Sequence, residues 1–411
     1  MATETGATRG GTAVAHPLER AMVPSRLWTG VLLAAWLVAA VVLDGWAHHR
    51  HLAHTLAPRT ERRGPPSVAL GLPAAPVPLH LPYFLGLGAV AVLTAGRLAR
   101  LGGPGRGSAG RALQDPGQER LPAVGLLLVL VGVTGTLLRP GPFRGPSPLT
   151  IDEPLTPLLH PFQVLHAAGL GLILLDPLRR AWRAPAGRRR ARDALPAVLS
   201  LGLFLFLVGY MVQYAHPVVE PLAAGVSYGT LGTPSRYGVG AHIYGLGVLG
   251  YVVQSVSLAG GLLLLLRRWP HLPSGAVTLL LTLSAVPLTL LRGTVVLVPG
   301  IVLAGLAGDR LVARLGRGSG DPDPGQVRLV AALVPAATAL ASFLTLAVLQ
   351  GSRGHGSRGV VGLSDLFPAS RVAWSADLWA GVTVLCGVAG WLVSYLVFPP
   401  RLPEGAGGAG A

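Results

Sequence analysis

The sequence predicts an all-α, polytopic membrane protein, a bundle of about ten transmembrane helices with both termini in the cytoplasm. Three observations carry that prediction. Apolar runs long enough to cross a hydrocarbon core as a helix recur from end to end. Charged residues make up 12% of the chain, against about 25% in a soluble domain. All 33 basic residues are arginines, and they gather on alternate connections between the apolar runs.

Residues 1–26 are polar and predict a disordered cytoplasmic tail. The run at 27–46 is too long and begins too late for a cleaved signal peptide, so it reads as the first span. Further spans follow at 76–97, 121–138, 161–178, 195–215, 240–266, 275–291, 293–308, 327–349 and 377–398, and residues 399–411 form a flexible tail. Only Arg292-Gly293 separates the seventh run from the eighth, which leaves a tight hairpin and one broken element both open. With the N-terminus in the cytoplasm, 22 of the 33 arginines lie on cytoplasmic segments, seven of them in LRRAWRAPAGRRRAR. That bias follows the positive-inside rule, and an even number of spans returns the C-terminus to the same side.

The same features narrow the function. The arginine excess serves membrane orientation, since no basic patch is interleaved with aromatics as single-strand binding requires, and no nucleic acid partner is expected. GLGLIL and GLGAVA lie within spans, so neither cradles a phosphate, and no nucleotide cofactor is expected. Cys386 is the only cysteine, which excludes an intrachain disulfide, a CxxC redox pair and a thiolate zinc site. Abundant Ala, Gly, Pro and Arg without lysine match a GC-rich bacterial genome. The expected location is the plasma membrane, with the lipid bilayer as the principal partner.

Histidine supplies the one route to chemistry. Of twelve histidines, only His16 and His271 fall on the cytoplasmic side, although an imidazole near a bilayer needs a polar partner. The first run ends in LDGWAHHRHLAH, where Asp44 and His48 are four apart and share a helical face, with His51 continuing it. The second begins PVPLHLPYF and brings His80 to the outer side from the opposite direction. A carboxylate with two imidazoles makes a first candidate site for copper(II), zinc or iron. A second, weaker set is Asp152, Glu153 and His160 in TIDEPLTPLLHPFQVLH, with His166 behind it. His216 with Glu220, and His242, are additional candidates, although Pro217 opposes continuous helix after His216. The segments 27–98 and 121–178 then read as two histidine-bearing hairpins within one helical domain, 27–398, and internal pairing of this kind is common in membrane proteins.

These motifs resemble the C subunits of copper-dependent membrane monooxygenases, the methane and ammonia oxidisers. Those carry Asp-x-x-x-His at a span boundary and Asp-Thr-x-Phe-Thr-Pro-x-His at the next, and the aspartate and two histidines bind metal. Asp44-x3-His48 matches the first part and Pro78-Leu79-His80 the tail of the second. Asp152 through Thr156-Pro157 to His160 echoes the second part with one extra residue. No Asp-Thr pair precedes His80, and the second set has no Asp-x3-His upstream. The segments LLLLLRRWPHLPSGAVTLL and WSADLWAGVTVL are also similar to uncharacterised multi-pass actinobacterial membrane proteins. The monooxygenase resemblance implies a copper site. It also implies that oxygen chemistry, if present, makes the chain one component of an oxidoreductase, dependent on partner membrane subunits or a homo-oligomer.

Other readings stand beside this one. Metal handling without catalysis uses the same residues, and a transporter or channel uses the spans alone. Asp44 and His48 also fit an interfacial pair that marks a helix end, His49, His51 and His54 a solvated loop, and His80 a helix start. Asp176 and Asp309 read as structural helix ends. Trp28, Trp46, Tyr83, Trp182, Tyr214, Trp269 and Trp374 sit near span ends, as aromatic belts require.

Overall fold

The computed structural model describes residues 17–56, 81–102, 116–137, 161–183, 194–213, 215–219, 226–227, 235–292, 294–315, 323–351, 371–372 and 376–400. Among them ten α-helices stand at the ten apolar runs. They are α1 (Pro17–Leu56), α2 (Leu81–Gly102), α3 (Pro116–Leu137), α4 (Pro161–Arg183), α5 (Leu195–Met211), α6 (Ser235–Arg268), α7 (Ala276–Arg292), α8 (Val298–Leu315), α9 (Pro324–Gly351) and α10 (Ala376–Val397). Proline opens several of them, where its missing N–H costs no helical hydrogen bond. A two-residue antiparallel pair, Val226 with Val372 and Ser227 with Arg371, ties the α5–α6 and α9–α10 connections together.

Among the described residues seven helices are long and apolar enough to cross a membrane, in α1, α2, α4, α6, α8, α9 and α10. The chain is therefore a multi-pass membrane protein. Three shorter apolar helices complete the set, Arg120–Gly135, Leu195–Met211 and Ala276–Leu291. The outer surface suits lipid: Leu32, Val92, Leu127, Val348 and Leu396 are exposed, while Trp269, Phe206 and Phe343 are fully buried.

Helix ends collect on two opposite sides. On the side read as cytoplasmic, Arg268 Nε donates to Trp182 O at 2.7 Å and Arg267 donates to Val397 O at 3.4 Å. There Trp182 meets Trp269 edge-to-face. On the other side, Gly45 of α1 lies against Leu291 of α7, and Gly300 of α8 against Thr345 of α9. Consecutive helices thus run antiparallel. The seventh and eighth runs form a tight hairpin, not one broken element: a single 3-10 turn at Val295–Leu297 separates α7 from α8. At the hairpin's far end Asp309 of α8 bonds the first turn of α7, which follows Gly275 at φ 85°.

Polar groups inside the bundle are mostly satisfied by backbone. Pro177 interrupts α4, and the Ser200 hydroxyl of α5 fills the opening: it accepts from Leu178 N–H at 3.2 Å and donates to Leu174 O. Asp176 pairs with Arg180 one turn on, at 2.7 Å, and with Arg97 of α2 at 3.9 Å, the salt-bridged helix end expected for it. Tyr83 departs from the expected belt. It is buried, and its hydroxyl hydrogen-bonds His166 of α4, while Trp36 of α1 donates to Pro82 O at 2.8 Å beside it. Trp269 is likewise 2% exposed and packs inside, whereas Trp28 and Trp46, both 38% exposed, suit a belt. Tyr214 and Trp374 lie outside the described residues.

The neighbour pattern divides the bundle. Helices α1 to α5 pack among themselves, and α6 packs with α9 and α10. Helix α7 packs on α1, α5 and α8, α8 in turn packs on α9, and α5 meets α6 only lightly. A seam therefore runs between α5 and α6, with α7 along it.

Candidate functional site

Two places merit a functional reading: the outer end of α1, and a cavity at the α5–α6–α7 seam. At the first, α1 stays helical from Pro17 to Leu56 without a break, so positions 44, 48 and 51 fall on one face. Asp44 is half-buried, and its neighbour Gly45 is bare because a methyl there would come within 2.7 Å of Leu291 Cδ2. The acidic end of α1 is thereby held against α7. His80, Asp152, Glu153 and His160 of the two predicted sets lie outside the described residues, as does Glu220. His48 and His242 are placed by backbone alone, on α1 and α6. Among the described residues no group of three His, Cys, Asp or Glu side chains converges as a metal shell would.

At the second place the chain turns back after α5. Helix α5 has 17 residues, about 25 Å at 1.5 Å per residue, short of a ~30 Å hydrocarbon core. The following residues form turns: Ala215 N–H donates to Val212 O at 2.9 Å, and Val219 N–H to His216 O at 2.9 Å. Pro217, which opposed helix in the sequence, sits within them. The turn is held from three sides. Thr294 Oγ donates to Val218 O at 2.6 Å. Gly250 of α6 leaves room for the Ala215 carbonyl, which any Cβ would overlap, and Gly209 of α5 lies against the His216 ring. His216 ends 6% exposed.

Searches against protein family descriptions, curated proteins and solved structures find no match. The chemistry of both places is therefore argued from the residues themselves.

Beside His216 lies a cavity of about 30 Å³, room for a water or two, since one needs about 10–15 Å³. Its polar lining is His216 from the turn, Gln254 and Ser257 from α6, and Ser284 from α7; leucine, valine and Gly209 complete the wall. Val218 N–H donates to His216 Nδ1 at 3.4 Å, so the neutral ring carries its proton on Nε2. Burial pushes the imidazole down to about 4, because a charged ring is poorly solvated there. His216 is thus a neutral hydrogen-bonding group at ordinary pH.

The sequence set His216 beside Glu220, four residues on, which lies outside the described residues. At the cavity the neighbours of His216 are Gln254, Ser257 and Ser284 from two other helices. One sign was available. Gln254 stands in the middle of the apolar run of α6, where an amide needs a partner.

Proposed function

We propose that the chain crosses the bilayer ten times with both termini in the cytoplasm, and that it holds a metal ion on the outer side through Asp44, His48 and His80. Copper is favoured over zinc or iron by the resemblance of the Asp-x3-His and Pro-x-His motifs to the monooxygenase subunits. The observation that carries the reading is the unbroken helix of α1, which keeps positions 44 and 48 one turn apart at an end pressed against the bundle. A carboxylate and an imidazole at that spacing can approach one ion from a single helix. Asp152, Glu153 and His160 form the weaker second set in this reading, with His242 as a further ligand, while His216, whose Nδ1 accepts from Val218 N–H, keeps no free lone pair for a metal. A bound copper would supply dioxygen activation, and electrons would come from partner membrane subunits. Without such partners the same site stores or passes the ion.

Elemental analysis of the purified chain tests this reading. One equivalent of copper, lost in Asp44→Ala and His48→Ala variants, supports it. A metal-free preparation, even after incubation with copper, zinc or iron, removes it. Oxygen-dependent oxidation of a small hydrocarbon then separates an oxidoreductase component from a metal carrier.

One observation favours a second reading, a transporter or channel: the polar cavity at a seam between two helix groups. Secondary transporters commonly bind substrate at such junctions and rock one group against the other.

A further inference from the structure

We propose that the cavity beside His216 binds a small uncharged hydroxyl compound, either water or an alcohol of one or two carbons. The proposal rests on the cavity alone and stands apart from the metal reading. Several hydroxyls elsewhere in the bundle are engaged by their own helices. Thr282, Thr338, Ser342 and Thr345 each donate to the carbonyl four residues back. At the cavity Ser284 is likewise engaged by its own helix, but Ser257 is not. The Gln254 amide, the Ser257 hydroxyl and His216 Nε2 have no hydrogen-bond partner among the described residues, although all three residues line one space. Three polar groups that converge on one small space, with no protein partner there among the described residues, point to a ligand that hydrogen-bonds them.

The lining defines what that ligand is. It contains no Asp, Glu or Arg, so a bare ion would lose its hydration with no opposite charge to replace it. His216 Nε2–H is a donor, because Val218 N–H occupies Nδ1, and it requires a lone pair on the ligand. Ser284 Oγ already donates to Leu281 O at 3.0 Å, so it faces the cavity as an acceptor and requires an O–H or N–H. A hydroxyl offers both. The leucine and valine walls accept one or two carbons beside it, and about 30 Å³ admits nothing much larger.

The test uses the full chain in lipid nanodiscs with ¹⁵N-labelled histidine, the His216 ring signals being assigned by their loss in His216→Gln. The expected spectrum shows the Nε2–H tautomer with cross-relaxation from that proton to water. Added ¹³C-methanol distinguishes the two sources. Replacement of the water contact by a methyl contact identifies an alcohol site, and a persistent water contact identifies a water site. Ser257→Ala combined with Gln254→Leu should weaken either contact and leave the tautomer unchanged. A ring proton with no contact to water or methanol overturns the proposal, as does the Nδ1–H tautomer. Both of these outcomes are read on the unsubstituted protein, so a variant that does not fold leaves the test intact.

Discussion

Asp309 of α8 closes the first turn of α7 at Thr278. One carboxylate oxygen accepts from Val277 N–H at 2.8 Å, and the other accepts from the Thr278 N–H at 3.2 Å and its hydroxyl at 2.5 Å. The first N–H groups of any helix lack partners within it, and here a neighbouring helix supplies them. Asp309→Ala should therefore lower stability by about 2 kcal/mol. Unfolding in detergent, followed by circular dichroism, measures it, and an unchanged midpoint would remove the cap from the account.

Ser200 plays the corresponding part for α4. Its hydroxyl bridges Leu178 N–H and Leu174 O, a pair that would bond directly in an uninterrupted helix. Ser200→Ala leaves both buried groups open beside Pro177, at an expected cost of about 1–3 kcal/mol. In Pro177→Ala the helix can close, and the serine substitution should then cost less. If the two changes add without coupling, the bridge is not the reason for the serine.

The glycines sort into two groups by what surrounds them. A Cβ at Gly390 of α10 would overlap the Ala331 carbonyl of α9, and one at Gly250 would overlap Ala215 O, whereas Gly88 and Gly245 have nothing within 4 Å. Gly390→Ala and Gly250→Ala should destabilise the bundle. Gly88→Ala and Gly245→Ala should be neutral or stabilising by up to about 1 kcal/mol, because alanine is the better helix former. Midpoints that fail to separate the two pairs would contradict the packing described.

His216 makes stability fall with acid. Its folded value of about 4 lies below the 6.5 of an unrestrained imidazole, so between those values the unfolded chain holds a proton that the folded chain does not. Stability is complete above about pH 6.5 and declines by about 3 kcal/mol on the way to pH 4, below which the loss levels off. His216→Gln should remove that part of the pH dependence. The difference between the two unfolding profiles isolates it from the carboxylates, and parallel profiles would mean that the ring is not buried as described.

The arginine pattern also sets a topology that can be read directly. In a Cys386→Ala background, a cysteine placed at Arg189 should be modified by an impermeant thiol reagent only after the inner face is opened. One placed at Arg62 should react from outside. Reaction in the reverse sense would invert the orientation.

Much of this architecture was legible because a bilayer constrains sequence strongly. Each span must satisfy its own backbone, so ten apolar runs became ten helices among the described residues, and even Arg292-Gly293 marked a real break. Asp176 and Asp309 were readable as structural, since carboxylates near arginines or helix starts have obvious partners. Tyr83 was not readable. Its position near a span end suggested a lipid belt, while the structure gives it His166 on a helix far along the chain, a pairing no local period records.

From its residues alone this protein's class, helix positions and arginine asymmetry followed, because transfer from water to hydrocarbon acts on each segment separately. Only the tertiary structure decided which polar side chains meet. The turn after α5, the seam between α5 and α6, and the convergence of His216 with Gln254, Ser257 and Ser284 depend on how helices cross. Those crossings are set by steric fit at residues such as Gly209 and Gly250, through contacts between segments that have no signature in either segment by itself.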